Sequence, residues 1–287
     1  MKIALSTNFL RPDSVEQLID VCHAAGVASV EIWGHDGVFA ESEDLSESAL
    51  RLRKANVAVS SLHAPYTIDS LLLPEDREHY LARIESACRK AESLQAGYMV
   101  VHPAVLRGEQ PTVDGRLSDA MPESFAIWHS VAQRARVRGA RVAFENLPGS
   151  SGWPNGCRVE TVRRISDELG EFDTGVCLDL SHSFANQEEP FITSDGAIEP
   201  LVVHVSDGIA GYDRHLPPGE GDHDWDRISN VLCRQGFAGP LVLEVRSPYL
   251  NAHLIGSMSE YLQGKLRLAL EKTNWSSEEA GTVSGIH

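Results

Sequence analysis

Residues 175–182 read Gly-Val-Cys-Leu-Asp-Leu-Ser-His, a short apolar run that ends at Asp179 and is followed three residues later by His182. A run of this length next to a helical pattern predicts a buried β-strand. The chain contains eight such runs: Lys2–Ser6, Ser29–Trp33, Val57–Leu62, Tyr98–His102, Arg141–Glu145, Gly175–Asp179, Leu201–Val205 and Leu241–Val245. The sequence therefore predicts eight strands.

Amphipathic segments lie between the strands and predict helices, including Ser14–Ala25, Pro74–Gln95, Pro122–Arg138, Val159–Leu169 and His253–Lys272. Alternating strands and helices imply parallel strands, and eight such units favour a closed barrel over an open doubly wound sheet. No glycine-rich phosphate loop follows the first strand. We expect a single α/β domain, a (β/α)8 TIM barrel, over residues 1–272, and a polar, flexible tail over residues 273–287.

The composition of the 287-residue chain excludes several classes of protein. Its 42% of hydrophobic residues allow a large core, and its formal net charge of −16 disfavours extended nucleic acid as a partner. No apolar run approaches the roughly 20 residues that cross a bilayer, and the chain does not begin with a secretory leader. The five cysteines are widely spaced, which fits a reducing compartment. We expect a soluble, cytoplasmic protein that does not bind membranes.

Residue types that bind metals stand at the ends of six consecutive predicted strands. They are His63, His102, Glu145, Asp179 with His182, His204 and Glu244, and Asp213 and His215 follow in the loop after the seventh strand. Each has an ordinary explanation by itself, such as a helix cap or a structural hydrogen bond. Closing a barrel brings them around one mouth, however, where clustered carboxylates repel each other unless cations are present. The sequence therefore predicts a divalent-metal site.

Several fragments resemble the xylose-isomerase-like TIM-barrel superfamily, which contains sugar isomerases and epimerases as well as endonuclease IV. The fragments are His63-Ala64-Pro65-Tyr66, Val101-His102-Pro103, Phe144-Glu145-Asn146, Gly175–His182, Asp213-Arg214-His215 followed by Pro218-Gly219-Glu220-Gly221, and Leu243-Glu244. The resemblance extends from the third strand to the eighth. These motifs are specific for the superfamily and much less specific for an activity.

The resemblance to the isomerase branch implies one Mn, Mg, Co or Zn ion, held by residues of four strands: Glu145, Asp179, His204 and Glu244. Glu145 and Glu244 would then take and return a proton at the carbon beside a carbonyl, while His182 would contact the sugar. The leading hypothesis is therefore a divalent-metal-dependent sugar or sugar-phosphate isomerase or epimerase, with a small-molecule sugar or sugar phosphate as its partner.

The resemblance to endonuclease IV implies different chemistry, because nine ligands hold three zinc ions in that branch. All nine residue types occur here: His63, His102, Glu145, Asp179, His182, His204, Asp213, His215 and Glu244. Tyr66 also follows this branch. The alternative hypothesis is thus a multinuclear zinc phosphodiesterase that acts on an abasic-site strand or on a smaller phosphodiester. A barrel that binds metal and ligand without turnover is a third hypothesis.

Other features favour the small-molecule branch. The first strand lacks the Gly-x-His-x-Ser beginning typical of endonuclease IV, and Glu31-Ile32-Trp33-Gly34 resembles the small-molecule branch. The segment Gly34–Ser46 carries four acidic residues and no Lys or Arg, which makes a poor surface for a DNA backbone. Nucleic acid is therefore disfavoured but stays open as a partner, and so does a homo-oligomer.

Further residues are candidate substrate contacts besides His182 and Tyr66. Trp33 would form a hydrophobic wall against a sugar face, although packing explains such a tryptophan equally well. Asp207 would orient a ligand imidazole or accept a bond from a substrate hydroxyl. Arg246 would hold a phosphate or carboxylate, with a surface salt bridge as the ordinary alternative.

Overall fold

Eight parallel strands close into a barrel in the computed structural model, which describes residues 1–65, 71–111, 115–149, 153, 157–193, 196–246 and 250–283. We number them β1 (Lys2–Ser6), β2 (Ser29–Trp33), β3 (Ala58–His63), β4 (Tyr98–Val101), β5 (Arg141–Glu145), β6 (Gly175–Asp179), β7 (Val202–Val205) and β8 (Pro240–Leu243). Strands that follow each other in the chain are neighbours, and β1 pairs with β8 to close the barrel. The predicted (β/α)8 TIM barrel is confirmed.

Helices connect successive strands, and one more helix follows β8. They are α1 (Val15–Ala25), α2 (Ser46–Lys54), α3 (Arg77–Leu94), α4 (Pro122–Val137), α5 (Val159–Glu168), α6 (Leu180–Ala185), α7 (Trp225–Arg234) and α8 (Ala252–Val283). Two single-turn helices, Thr7–Leu10 and Leu117–Ala120, precede α1 and α4. Three pairs of short strands lie in the described loops: Leu71–Leu72 with Val105–Leu106, Ile192–Thr193 with Gly196–Ala197, and Asp207–Ile209 with Tyr212–Leu216.

Local sequence signals explain where the first of these helices begins and ends. The Ser14 hydroxyl accepts a hydrogen bond from the Gln17 N–H and caps the start of α1. Gly26 ends the helix in the left-handed region, with a φ of 66° that favours glycine. Between them, Leu18 and Cys22 are spaced by one turn and are buried against the barrel.

Inward-facing side chains form two layers inside the barrel. Six small apolar residues make the lower layer: Ala4, Val100, Ala143, Cys177, Val202 and Val242. Alternate residues of a strand face the same side, so the positions two residues further along point inward one layer higher. Those positions are Ser6, His102, Glu145, Asp179, His204 and Glu244. The polar site therefore begins directly above an apolar floor that closes the barrel.

The strand ends differ from the sequence prediction by one or two residues, as is usual at element ends. His63 is the last residue of β3, whereas β4 ends at Val101 and β8 at Leu243. His102 and Glu244 thus follow their strands directly instead of lying within them. The backbone of α8 extends to Val283, and the predicted division of the chain at residue 272 stays a prediction. Within the described residues, no helix combines the length and apolar character needed to cross a membrane.

Candidate metal centre

Four predicted ligands form a central group, which consists of Glu145, Asp179, His204 and Glu244. One potential ligand atom of each lies within 4.8 Å of those of the others, and all four residues are buried. The His204 Nδ1 atom is 2.7 Å from Glu244 Oε2 and 3.3 Å from Glu145 Oε1. The ends of β5, β6 and β7 and the residue after β8 thus place their donors around one point.

Three donor atoms of the central group are buried and have no hydrogen-bond partner among the described residues. They are Asp179 Oδ2, His204 Nδ1 and Glu244 Oε2. A buried polar atom without a partner costs about 1–3 kcal/mol, and more when it is charged. A divalent cation would satisfy all three atoms, and imidazole with carboxylates is a donor set that Zn²⁺ accepts. The residues present therefore fit a metal ion.

A first outer group, His63, His102 and Glu145, adjoins the central group. The Nε2 atoms of His63 and His102 each lie 3.1 Å from Glu145 Oε2. The other oxygen of that carboxylate faces His204, at 3.3 Å. Glu145 therefore stands between the two groups and has one oxygen directed toward each.

A second outer group consists of Asp179, His182 and His215, with Asp213 beside it. The Asp213 Oδ1 atom is 3.0 Å from His215 Nε2 and 4.0 Å from His182 Nε2. His182 lies on α6, and His215 lies in the short strand Tyr212–Leu216. Since Asp179 also belongs to the central group, two carboxylates link all three groups into one cluster.

Three of the histidines have Nδ1 within hydrogen-bond distance of a backbone carbonyl, and that of His182 also lies 3.4 Å from Glu145 Oε1. The Nδ1 atoms of His63, His182 and His215 lie 2.9, 2.8 and 2.9 Å from the carbonyl oxygens of Ala64, Asn146 and Glu244. A carbonyl oxygen only accepts, so Nδ1 carries the proton and donates it. The Nε2 lone pair of each ring is then left for the donor group, which is the usual arrangement of histidines that bind metals.

The pKa values of the central residues reflect their mutual contacts. Burial by itself would raise the pKa of Glu145, but His204 and His102 outweigh this and hold it well below its usual range. Burial would lower the pKa of His204, yet the surrounding acidic groups, Cys177 and Glu31 first, raise it well above its ordinary value. Metal binding by these residues would therefore compete with protons and depend on pH.

Two asparagines that the sequence prediction missed support the carboxylates. Asn8 donates from Nδ2 to Glu244 Oε1 at 2.9 Å. Asn146 donates to the Asp179 carbonyl oxygen at 3.0 Å and accepts from the Asp179 N–H at 2.8 Å. Asn8 lies two residues after the end of β1, and Asn146 directly follows the end of β5. Residues just after strand ends are typical site residues in a barrel of this kind. Glu31 on β2, also missed, is fully buried beside His204.

The candidate substrate contacts lie in different surroundings. Trp33 is buried and stacks on His63, with ring centroids 4.3 Å apart, so it packs against the first outer group. The Arg246 guanidinium lies over the Phe9 ring at 5.3 Å and is exposed at the barrel mouth. Tyr66 lies outside the described residues.

Asp207 is fully buried, and each of its oxygens accepts two hydrogen bonds. Oδ1 accepts from the N–H groups of Gly208 and His223, and Oδ2 accepts from the Gly219 N–H and from Trp225 Nε1. These four bonds fold residues 208–225 around one carboxylate. The arrangement favours a role for Asp207 in organising this loop over the substrate contact expected from the sequence.

Comparison with known proteins agrees with this architecture. Residues 19–265 match the family model described as a xylose isomerase-like TIM barrel. "Uncharacterized protein Rv0498" of Mycobacterium tuberculosis is 28% identical over 259 residues, which cover 85% of this chain and 89% of that protein. "Probable endonuclease 4" of Mycobacterium bovis is 26% identical over 212 residues, covering 69% and 77% of the two chains.

Among solved structures, that of a D-tagatose 3-epimerase-like protein superposes with a TM-score of 0.77 at 21% identity, and the match covers 95% of this chain and 100% of that one. At this identity the likeness shows the fold alone. The family match, in contrast, includes every residue of the three donor groups. The chain belongs to the xylose isomerase-like TIM barrel family.

Proposed function

We propose that this protein is a divalent-metal-dependent hydrolase of small phosphodiesters, with zinc as the expected metal. The observation that carries the proposal is that two outer groups adjoin the central group and share Glu145 and Asp179 with it. A further set, Glu145, Cys177 and His204, overlaps the central group. Clusters of linked divalent sites are typical of enzymes that cleave phosphate esters. A single-ion enzyme would bind its metal with the central group alone and would use His63, His102 and His182 as substrate contacts.

Divalent ions in these groups would polarise a phosphoryl group and lower the pKa of a water molecule. The protein's own part is to hold the donors in place. Ala64, Asn146 and Glu244 fix three imidazoles through their carbonyl oxygens, and Asn8 fixes the Glu244 carboxylate. The apolar floor below keeps the site dry on one side, which strengthens electrostatic interactions within it.

The charge of the chain supports a small substrate over a nucleic-acid strand. The net charge is −16, and the loop after β2 carries Asp36, Glu41, Glu43 and Asp44. Arg11 and Arg89 pair with Asp36 and Glu43. Glu41 and Asp44 still disfavour a long polyanion, whereas one phosphate needs only a local contact. Arg246 at the mouth is the candidate for that contact, since its guanidinium is exposed.

A sugar or sugar-phosphate isomerase or epimerase is the second candidate. The observation that favours it is that the central group alone offers the four donors of one ion, with Glu145 and Glu244 on the same imidazole, His204. The likeness of the fold to a D-tagatose 3-epimerase-like protein supports it as well. In this mechanism the two glutamates would move a proton at the carbon beside a carbonyl.

The environment of Glu145 argues for the first candidate over the second. A catalytic base needs an oxygen that faces the substrate, but Oε2 of Glu145 faces His63 and His102 and Oε1 faces His204. A carboxylate with both oxygens among imidazoles is suited to link two cations.

Elemental analysis of protein purified without chelator tests the proposal, together with assays on bis(p-nitrophenyl) phosphate and on a panel of ketoses. Two or three zinc ions per chain with phosphodiester hydrolysis would support the hydrolase. One ion per chain with ketose conversion and no hydrolysis would overturn it in favour of the isomerase. The variant His102→Ala distinguishes the hydrolase from the isomerase further. It removes a donor of the first outer group and leaves the central group complete, so it should impair the hydrolase more than an isomerase with one ion.

The cellular setting remains part of the proposal. All five cysteines are buried free thiols, which supports a reducing compartment such as the cytoplasm. A small phosphodiester or a sugar phosphate is the proposed partner.

A further inference from the structure

A buried carboxylate on β2 contacts the histidine of the central group from the side away from the donors. Glu31 is fully buried, and its Oε2 atom lies 3.3 Å from His204 Nε2. The same oxygen accepts a hydrogen bond of 2.8 Å from the Ser61 hydroxyl. Glu31 is not a member of any of the three donor groups.

A β-bulge in the barrel brings Glu31 and Ser61 together. The pairing of β2 with β3 shifts between Val30 and Glu31, so that Val30 lies opposite Val59 and Glu31 lies opposite Ser61. Ser60 is the extra residue, and its hydroxyl donates to the Val30 carbonyl oxygen at 2.9 Å. Bulges of this kind redirect side chains, and this one places the Ser61 hydroxyl against the Glu31 carboxylate.

The contact with Glu31 determines which nitrogen of His204 is available to the central group. An ionised carboxylate only accepts hydrogen bonds, so His204 Nε2 must carry the proton in this pair. When the ring loses its second proton, the lone pair is on Nδ1, the atom that lies 2.7 Å from Glu244 Oε2 and 3.3 Å from Glu145 Oε1. His204 is thereby presented to the donor cluster through Nδ1, whereas His63, His182 and His215 use Nε2.

Keeping Glu31 in this place is costly for the fold. Its Oε1 atom is buried and has no hydrogen-bond partner among the described residues. An apolar residue at this position would avoid that cost and would extend the apolar floor. The geometry thus points to a role that an apolar side chain cannot perform.

We propose that Glu31 is a positioning residue, held by Ser61, that fixes the tautomer and ring orientation of His204 for the central metal ion. The proposal rests on metal binding by the central group, which the hydrolase and the isomerase have in common. It does not depend on which reaction follows.

Titration of the metal-free protein with Co²⁺ against a chromophoric chelator tests the proposal in Glu31→Gln. Partners of this kind contribute 10–100-fold to metal affinity, so we expect one Co²⁺ site to weaken by about that factor, with altered visible absorption bands. If the protein binds several Co²⁺ ions, the others should keep their affinities. Unchanged affinity and bands in a folded Glu31→Gln protein would overturn the proposal.

A second pair of variants covers the case in which Glu31→Gln does not fold. Ser61→Ala removes one hydrogen bond from Glu31 and should weaken the same Co²⁺ site to a smaller extent. The matched control is Ser166→Ala, since the buried Ser166 hydroxyl donates to the Gly175 carbonyl oxygen away from the donors. Equal Co²⁺ binding in both serine variants would contradict the proposal.

A nuclear magnetic resonance measurement gives a readout that a purely structural role of Glu31 would not change. In zinc-loaded wild-type protein, the ring nitrogens of His204 should show a protonated Nε2 and a metal-bound Nδ1. Glu31→Leu, which leaves His204 Nε2 without this acceptor, should alter this assignment or broaden it by exchange. If phosphate-ester hydrolysis is not found but these effects are, the proposed reaction fails and the role of Glu31 stands.

Discussion

The two outer donor groups differ in how the chain holds them. The first uses His63 at the end of β3, His102 directly after β4 and Glu145 at the end of β5, so the hydrogen-bonded barrel fixes its geometry. The second takes His182 from the six-residue helix α6 and His215 from a loop hairpin. Only Asp179 of the second group lies at a strand end.

The second outer group depends on local hydrogen bonds that hold the backbone of its loop, whereas the first outer group does not. His215 has a φ of 48°, a left-handed conformation that is unfavourable for a residue with a side chain. Its backbone is held by the Ser181 hydroxyl, which accepts from its N–H at 3.2 Å, and by the Arg246 N–H, which donates to its carbonyl oxygen at 2.8 Å. Strand ends thus provide rigid donors, and loops provide donors whose position depends on a few side chains.

The largest effect should follow from Glu145→Gln, which removes the donor that the central and first outer groups share. Loss of an indirect supporting partner costs 10–100-fold, so loss of this shared ligand should lower activity by more than about 100-fold. Metal content should fall while circular dichroism stays that of the wild type, because the residue lies above the apolar floor. The exposed Glu16→Gln is the control, and full activity with unchanged metal in Glu145→Gln would contradict the site.

Asp207→Asn should destabilise the loop-borne group selectively. Both Asp207 oxygens face N–H donors, so an amide NH2 in this place would meet another donor and lose at least one hydrogen bond. We expect a loss of about 3 kcal/mol in the free energy of unfolding by urea.

In Asp207→Asn, the amount of metal bound by the second outer group should fall. The amount bound by the first outer group should stay at the wild-type value. The exposed Asp222→Asn in the same loop is the control. Equal loss of metal from both outer groups would show that the distinction between strand-borne and loop-borne donors is wrong.

Lys90→Met tests a loop that carries none of the nine donors. The buried Lys90 ammonium on α3 donates to the carbonyl oxygens of Gly34, Phe39 and Ala40, at 2.5, 2.7 and 3.3 Å. Methionine would fill a similar volume and leave these carbonyls without their donor, at a cost of about 2 kcal/mol in unfolding free energy.

Metal content should stay at the wild-type value in Lys90→Met, because the first outer group is held by strand ends. Lys54→Met, at an exposed position, is the control. Loss of metal comparable to that in Asp207→Asn would mean that the first outer group also depends on its loops.

The smallest effect concerns Glu168, a carboxylate far from the donors that holds residues 117–118. It accepts from the N–H groups of Leu117 and Ser118 and from the Ser118 hydroxyl. Burial would raise the pKa of Glu168, but these hydrogen bonds outweigh it and lower the pKa below its usual value. A lowered folded-state pKa means that the stabilisation is present above the unfolded-state pKa, roughly 4.3, and is lost as the pH falls through the folded-state value.

Glu168→Gln should therefore be less stable than wild type by about 1 kcal/mol at pH 7, and the difference should shrink progressively below pH of about 4. Urea unfolding of both proteins across this range measures it. A difference that grows toward acid pH would reverse the sign and contradict the assigned role.

Much of the donor set could be predicted from the sequence because strand alternation and strand ends are local features. His63, Glu145, Asp179 and His204 stand at or near the ends of apolar runs, and parallel strands in a barrel direct such residues to one mouth. Asn146 directly follows the end of β5 and obeys the same rule. The role of Asp207, in contrast, depends on where residues 219–225 fold back, which no local pattern indicates.

The order of the two functional hypotheses also changed with the structure. From the sequence, the acidic loop after β2 and the motif Glu31-Ile32-Trp33-Gly34 favoured the isomerase. The positions of His63 and His102 on one oxygen of Glu145 now favour a linked metal cluster and hence the hydrolase. Charge composition still argues against a nucleic-acid substrate, because it does not depend on the fold.

The sequence by itself determined the barrel and the candidate donors, since these follow from the alternation of strands and helices and from the residue type at each strand end. Only the tertiary structure decided how the candidate donors are distributed between the central and outer groups and which ring nitrogen each histidine presents. Those features depend on contacts between residues far apart in the chain, such as Glu31 with His204 and Asn8 with Glu244. The bulge at Ser60 is the clearest case, because one extra residue in β3 sets the partner of a carboxylate on β2.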